Sequence, residues 1–261
     1  MYLKMTNTMK LLSKSAGRLL FVRNYSVFKE NLWTPAKIVR SPYKDIEIPN
    51  STIPEHIWRN MEKWADKPAV VCGITNRTYT YHHLYKSSRI FAANLRSKLK
   101  VETGDVICIM KHNSPEFVVA LLGILQAGGE VTTVNPIYTP YELQKQLLLS
   151  NPTMIIGSTE TVKVIKEAFK LMKKEIPVIT VKEPNENLPE GTISFQELSE
   201  DNNVDLDALK GVSRTSEDIG ILPYSSGTTG FPKGVELTNR NIVANCVQQD
   251  VEGVKQYHDT T

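Results

Sequence analysis

Between Tyr224 and Gly234 the chain reads YSSGTTGFPKG. Ser225, Ser226, Thr228 and Thr229 put four hydroxyls within five residues, Gly227 and Gly230 remove side chains that would hold an anion off the backbone, and Lys233 adds a positive charge. Small residues with accessible amides bind phosphate oxygens through backbone dipoles, and hydroxyls with one ammonium complete a polyphosphate site. A Walker A loop is excluded, because that pattern needs glycine directly before the lysine and Ser or Thr directly after it. Here Pro232 precedes Lys233 and Gly234 follows. A flexible Ser/Thr/Gly linker has a similar composition, but apolar runs flank this loop closely, Ile219 to Pro223 before it and Val235 to Leu237 after it.

Such a loop needs rigid elements to present it, and the preceding chain supplies them in alternation. Ile53 to Trp64 is expected as a helix, and Ala69 to Cys72 and Thr78 to Thr80 as two strands around a turn at Gly73 to Arg77. Apolar residues Leu84, Ile90, Phe91, Ala92 and Leu95 make a helical stripe in His82 to Leu99. Val106 to Met110 is a strand run, after which Ser114-Pro115-Glu116 opens a helix with a cap residue and a proline at the first helical position. Val131 to Val134 follows as a strand, and Thr139-Pro140-Tyr141-Glu142 is a capping box in which Glu142 reaches back to the Thr139 amide. Thr153 to Ile156, a helix over Glu160 to Lys173, and Pro177 to Val181 complete the run. The fold class is therefore α/β, with alternating strands and helices forming a largely parallel sheet covered on both faces. Residues 183 to 218 break the rhythm with acids, Asn and two prolines and are expected as a connecting region with one short helix at Phe195 to Leu198.

With this loop set among these elements, the sequence resembles the adenylate-forming superfamily of acyl-CoA synthetases, 4-coumarate-CoA ligases and firefly-type luciferases. YSSGTTGFPKG matches the signature phosphate loop of that family at its defining positions. A second block, LLGILQAGGEVTTVNPIYTPYEL from Leu121 to Leu143, resembles the ligase branch, with weaker echoes at Tyr79-Thr80-Tyr81 and Gly104-Asp105-Val106. The resemblance covers about Ile53 to Gln256. It implies that Ser225, Ser226, Gly227, Thr228, Thr229, Gly230 and Lys233 hold the β and γ phosphates of ATP with Mg2+ while a carboxylic acid, fatty or aromatic, attacks the α phosphorus. Acyl adenylate and pyrophosphate would form, and the sulfur of coenzyme A would displace AMP. One departure stands at Asn239, where family members commonly carry His. The resemblance further implies that the acyl pocket, the adenine and ribose contacts and the adenylation lysine belong to chain beyond Thr261. The expectation is a partial N-terminal adenylation domain over residues 53–261, an N-terminal fragment of an acyl-CoA synthetase that does not turn over alone. The competing expectation is a non-enzymatic nucleotide-binding or regulatory product, tested by ATP binding without acid-dependent pyrophosphate exchange.

Composition sets outer bounds. The 261 residues are 41% apolar and 23% charged, an ordinary globular balance, and the net charge is +3. Lys4, Lys10, Lys14, Arg18 and Arg23 fall within residues 1–25, which hold no acid. Without that stretch the remainder is slightly acidic, which speaks against a nucleic-acid-binding body. Lys10, Lys14 and Arg18 lie on one side of a helical wheel and Leu12, Ala16, Leu19 and Leu20 on the other, so residues 1–25 read as a mitochondrial transit peptide cleaved after Tyr25 in Arg23-Asn24-Tyr25-Ser26, with a disordered basic tail or a surface-binding amphipathic helix as the alternatives. Peroxisomal and cytoplasmic locations stay open. Residues 26–52, with Pro35, Pro42 and Pro49, read as an extended arm. The apolar run Phe117 to Leu125 falls well short of the roughly 18 to 20 residues needed to cross a bilayer, so no transmembrane segment is expected.

Other chemistry-bearing residues carry weaker signals. Cys72, Cys108 and Cys246 are widely spaced without a metal-binding pattern, and the first two, in apolar runs, are expected as small core residues. His82 and His83 sit at a helix start and read as solvent-facing, and His112, at a strand end, as a surface or capping residue that borders a cleft if the sheet binds there. Trp33, Trp58 and Trp64 are expected as packing anchors.

Overall fold

In the computed structural model, residues 41, 43–183, 185–225 and 232–251 are described. The chain divides into two compact units, Met1–Asp45 and Ile46–Thr261. Residues 41 and 43–45 of the first unit are exposed and without regular structure. The expected transit peptide, the arm before residue 41 and Trp33 lie outside the described residues.

The second unit is a three-layer α/β body. Its first elements are α1 (Ile53–Trp58), α2 (Met61–Trp64), β1 (Pro68–Val71), β2 (Thr78–Thr80) and α3 (Tyr81–Ser97). The alternating series follows: β3 (Val106–Met110), α4 (Pro115–Gln126), β4 (Glu130–Thr133), α5 (Pro140–Ser150), β5 (Met154–Ser158), α6 (Val162–Met172) and β6 (Val178–Val181). The chain continues through β7 (Ile193–Ser194), α7 (Phe195–Ser199), β8 (Ile219–Leu222), β9 (Tyr224–Ser225), β10 (Lys233–Gly234), β11 (Leu237–Thr238) and α8 (Asn239–Gln249). Seven strands form the central sheet in the order β11-β8-β4-β3-β5-β6-β7. Its neighbours pair parallel apart from β11, which runs antiparallel to β8.

Period-two alternation assigns the strand side chains to two cores. Ile107 and Ile109 of β3, Met154 and Ile156 of β5, and Ile179 and Val181 of β6 pack with α3, α4, α7 and α8. Cys108 and Met110, Ile155 and Val178 point the other way, onto Leu143 and Leu147 of α5 and Ile165 and Phe169 of α6. Each fully buried aliphatic side chain contributes roughly 1.5–3 kcal/mol through removal from water, so two-sided burial makes β3 and β5 the rigid centre of the molecule. Caps set the helix starts. Ser114 accepts from the Phe117 N–H, and Glu142 accepts from both the Thr139 N–H (2.8 Å) and hydroxyl (2.7 Å), the capping box expected from sequence.

Three expectations need correction. The Ile53 to Trp64 helix is two helices, interrupted at Arg59 and Asn60, where the Arg59 guanidinium donates to the His56 carbonyl and takes over a helix-end acceptor. The region 183–218 holds a further parallel strand, β7, registered Ile179↔Ile193 and Thr180↔Ser194 on β6. Cys72 is not a core residue: it lies just past β1 in the turn before β2 and is part-exposed. Cys108 is fully buried, as expected.

Among the described residues no helix is long and apolar enough to cross a membrane.

Candidate functional site

The loop flagged by its hydroxyls leaves the sheet at the C-terminal end of β8. That strand is anchored beside β4 in parallel register, Val131↔Ile221 and Thr132↔Leu222, and the Thr132 hydroxyl donates to the Leu222 carbonyl at 2.8 Å. Pro223 then ends the ladder, because it has no N–H to offer. Ser225 pairs with Lys233 and Tyr224 with Gly234 in a two-residue antiparallel hairpin, and the Val235 N–H donates to the Pro223 carbonyl at 2.9 Å. The hairpin is a neck that brings the two ends of the loop together. Ser226, Gly227, Thr228, Thr229 and Gly230 lie outside the described residues.

Tyr224 shapes the neck. A Cβ built on Gly234 would sit 3.3 Å from the Tyr224 ring carbon Cζ, so the glycine allows the strand to lie against the ring. Burial pushes the Tyr224 phenol above its ordinary pKa, keeping it a neutral hydroxyl.

Beside the neck, at the C-terminal ends of β3, β4 and β8, lies a cavity of about 540 Å³. Lys111 and Asn113 follow β3, Thr133 and Asn135 belong to the end of β4, and Tyr224, Ser225 and Pro232 form the neck wall. Gln146 of α5 braces it, donating to the Thr133 carbonyl at 3.0 Å while 4% exposed. Open α/β sheets bind ligands outside the carboxyl ends of their strands, and this cavity has that position.

Ser225 lines this cavity, and its hairpin partner Lys233 lines an adjoining depression with Glu130 and Glu236, the two spaces sharing Tyr224 and Pro232. The cation in the cavity wall is Lys111, 9% exposed. Sequence reasoning passed over it, although a lysine directly after the apolar run Val106 to Met110 stands where such sheets receive ligands. His112 is exposed and does not line the cavity. His82 and His83 are exposed, as expected, and His83 stacks on Tyr79 with ring centroids 4.0 Å apart.

Asn239 has a structural role away from the cavity. It is 3% exposed, and its Nδ2 donates to the carbonyls of Thr215 (3.0 Å) and Asp218 (3.1 Å). Glu116, also 3% exposed, pairs with Arg77 at 2.8 Å and accepts from the Tyr79 hydroxyl at 3.1 Å, fixing the β1–β2 hairpin to α4.

A mostly parallel sheet covered on both faces, with a cavity at its carboxyl edge, defines an α/β protein of the open-sheet class. Within that class the chain belongs to the AMP-binding enzyme family, whose model matches residues 57–261. It is 38% identical over 215 residues to 4-coumarate–CoA ligase 1 of Arabidopsis thaliana, covering 81% of this chain and 38% of that relative. It is 38% identical over 224 residues to 4-coumarate:CoA ligase 1 of Petunia hybrida, covering 84% and 39%. The chain thus spans well under half the length of these relatives. Among solved structures it resembles a benzoate CoA ligase from Burkholderia xenovorans (TM-score 0.61, 26% identity, 76% of this chain and 36% of the other). It also resembles the luciferase-like enzyme of the mealworm Zophobas morio (TM-score 0.66, 25% identity, 76% and 45%).

Proposed function

We propose that residues 53–261 supply the polyphosphate grip of an ATP-dependent acyl-CoA synthetase of the 4-coumarate-CoA ligase-like branch. The observation that carries this is the hairpin neck of Ser225 and Lys233, which closes YSSGTTGFPKG into a loop at the carboxyl end of β8. In this reading Ser225, Ser226, Gly227, Thr228, Thr229, Gly230 and Lys233 hold the terminal phosphates of ATP. A substrate carboxylate displaces pyrophosphate at the α phosphorus, and the thiol of coenzyme A then displaces AMP from the acyl adenylate. Negative charge moves onto the departing pyrophosphate, so donors fixed around it stabilise the transition state more than the ground state. Mg2+ fits as a passenger of the nucleotide, ligated by phosphate oxygens and water. Among the described residues no group of three acidic, His or Cys side chains offers the ion a seat of its own.

Turnover is proposed for a protein of the relatives' length, and the acid is proposed as aromatic or fatty. The present chain is expected to bind ATP. The test is calorimetric titration of residues 1–261 with MgATP. Lys233→Ala combined with Thr228→Val is expected to weaken binding at least tenfold, and unchanged affinity would overturn the reading. We further propose that residues 1–25 direct mitochondrial import, on the strength of their acid-free amphipathic pattern. Residues 1–30 fused to a fluorescent reporter should label mitochondria, and a diffuse signal would refute import.

A further inference from the structure

Lys111 is the first residue past β3, the central strand of the sheet, and it is 9% exposed. Burying a cation among packed groups is costly unless something compensates the charge. Among the described residues Lys111 has no hydrogen-bond or ion-pair partner. The carboxylate of Glu186 feels it only through a longer-range attraction: that acid is held below the usual carboxylate range chiefly by the Glu183 N–H, which donates to it at 3.0 Å. What Lys111 does have is the cavity, whose wall it shares with Asn113, Thr133 and Ser225. A cation nine-tenths buried, with no partner among the described residues, thus lines a space ringed by neutral donors and acceptors, beside the two ends of the loop.

We infer that Lys111 is a second cationic ligand of the polyphosphate tail, reaching it through the cavity while the loop holds it from the neck. This rests on the proposed phosphate role of the loop and extends it to a residue outside the loop. It also accounts for the positions of the two lysines. Lys111 lines the cavity and Lys233 the adjoining depression, and the two spaces meet at Tyr224 and Pro232, so each holds one of the two lysines. A ligand phosphate arriving in the cavity gives Lys111 a counter-charge that the described residues do not supply. An organic carboxylate shares this oxyanion chemistry. The position of Ser225 and Pro232 at the same wall favours phosphate, because both termini of the loop open onto the space that Lys111 enters.

Inorganic tripolyphosphate separates the phosphate contribution from that of adenine and ribose, and 4-coumarate serves as the carboxylate probe. Lys111→Met keeps the length and apolar stem of the side chain and removes the charge. We expect it to weaken both tripolyphosphate and MgATP binding to residues 1–261 about tenfold, with Lys111→Arg retaining most of the affinity. A structural lysine would lower the thermal midpoint when replaced. Here the midpoint of Lys111→Met should stay level or rise, because no pairing partner among the described residues is lost and the apolar stem is kept. Tripolyphosphate affinity unchanged in Lys111→Met, or a loss confined to 4-coumarate, overturns the inference while MgATP binding by the parent chain leaves the loop reading standing. Failure of the parent chain to bind either polyphosphate overturns both.

Discussion

The side-chain oxygen of Asn239 accepts a hydrogen bond from the backbone N–H of Ile53 at 3.1 Å, joining residues 186 positions apart in the chain. The same amide donates to Thr215 and Asp218, so one buried side chain ties the start of α1, the loop before β8 and the start of α8. Asn239→Leu has similar volume but leaves the Ile53 N–H and the Thr215 carbonyl without their partner. At roughly 1–3 kcal/mol for each buried group left unsatisfied, the expected loss is about 2–4 kcal/mol. Urea unfolding followed by circular dichroism measures it, and a change below about 0.5 kcal/mol would show that the latch adds nothing beyond a surface contact.

A second prediction concerns pH. His56 on α1 is 6% exposed, and burial lowers its pKa, with the nearby Arg59 charge acting in the same direction. The folded state therefore favours the neutral ring, while the unfolded chain protonates near its ordinary pKa of about 6.5. Stability is insensitive to this group above that value and falls as pH drops through it, because the unfolded state takes up the proton first. Between pH 7.5 and 5.5 the urea midpoint should fall, and His56→Gln should flatten the fall. An equal slope in both proteins would assign the acid sensitivity elsewhere.

Much of this architecture is legible in the residues, and the exceptions have physical causes. β3 and β5 are continuous apolar runs because both faces of the sheet are covered, and Thr139 and Glu142 announce α5 because a capping box is a local interaction. β7 is illegible because two residues carry no periodicity: its strand character comes from the β6 edge it pairs with. Cys72 reads as strand interior from its apolar neighbours, yet the chain turns one residue earlier. The site divides in the same way. The loop shows itself through composition over eleven consecutive positions from Tyr224 to Gly234. Asn239 acts through partners far along the chain, and Lys111 lines a cavity with residues of distant segments, so no local spacing records them.

Cysteine reactivity gives a chemical check on the two cores. Cys108 is fully buried on β3, and burial pushes its thiol well above the ordinary range. Cys72 is part-exposed, and hydrogen bonding, first from the Thr75 hydroxyl and then from the Thr75 and Ile74 amides, favours its thiolate. Cys246 is exposed on α8. Because the thiolate is the reacting species, N-ethylmaleimide should modify Cys72 and Cys246 in the folded protein and Cys108 only after denaturation. Thr75→Val should slow labelling at Cys72. Native labelling of Cys108 at a comparable rate, read by peptide mass spectrometry, would contradict the two-sided burial of β3.

The neck makes the last prediction, and it connects packing to binding. Gly234 pairs with Tyr224, and a Cβ at position 234 would lie 3.3 Å from Cζ and 3.4 Å from the hydroxyl oxygen of that ring. Contacts this close require the neighbour to yield, and Gly234→Val adds two further methyl groups to the same spot. The ring yields toward the spaces it lines, the cavity among them, or by parting the two strands of the hairpin. Either movement displaces Ser225 and the start of the loop. Gly234→Val is therefore expected to weaken MgATP binding about tenfold, equivalent to about 1.4 kcal/mol, with little change in thermal midpoint because both hairpin strands are short and surface-lying. Gly234→Ala should fall between the two. Combining Gly234→Val with Tyr224→Leu removes the ring that is displaced and should restore part of the affinity. Wild-type affinity in Gly234→Val would show that the loop holds its ligand without the neck.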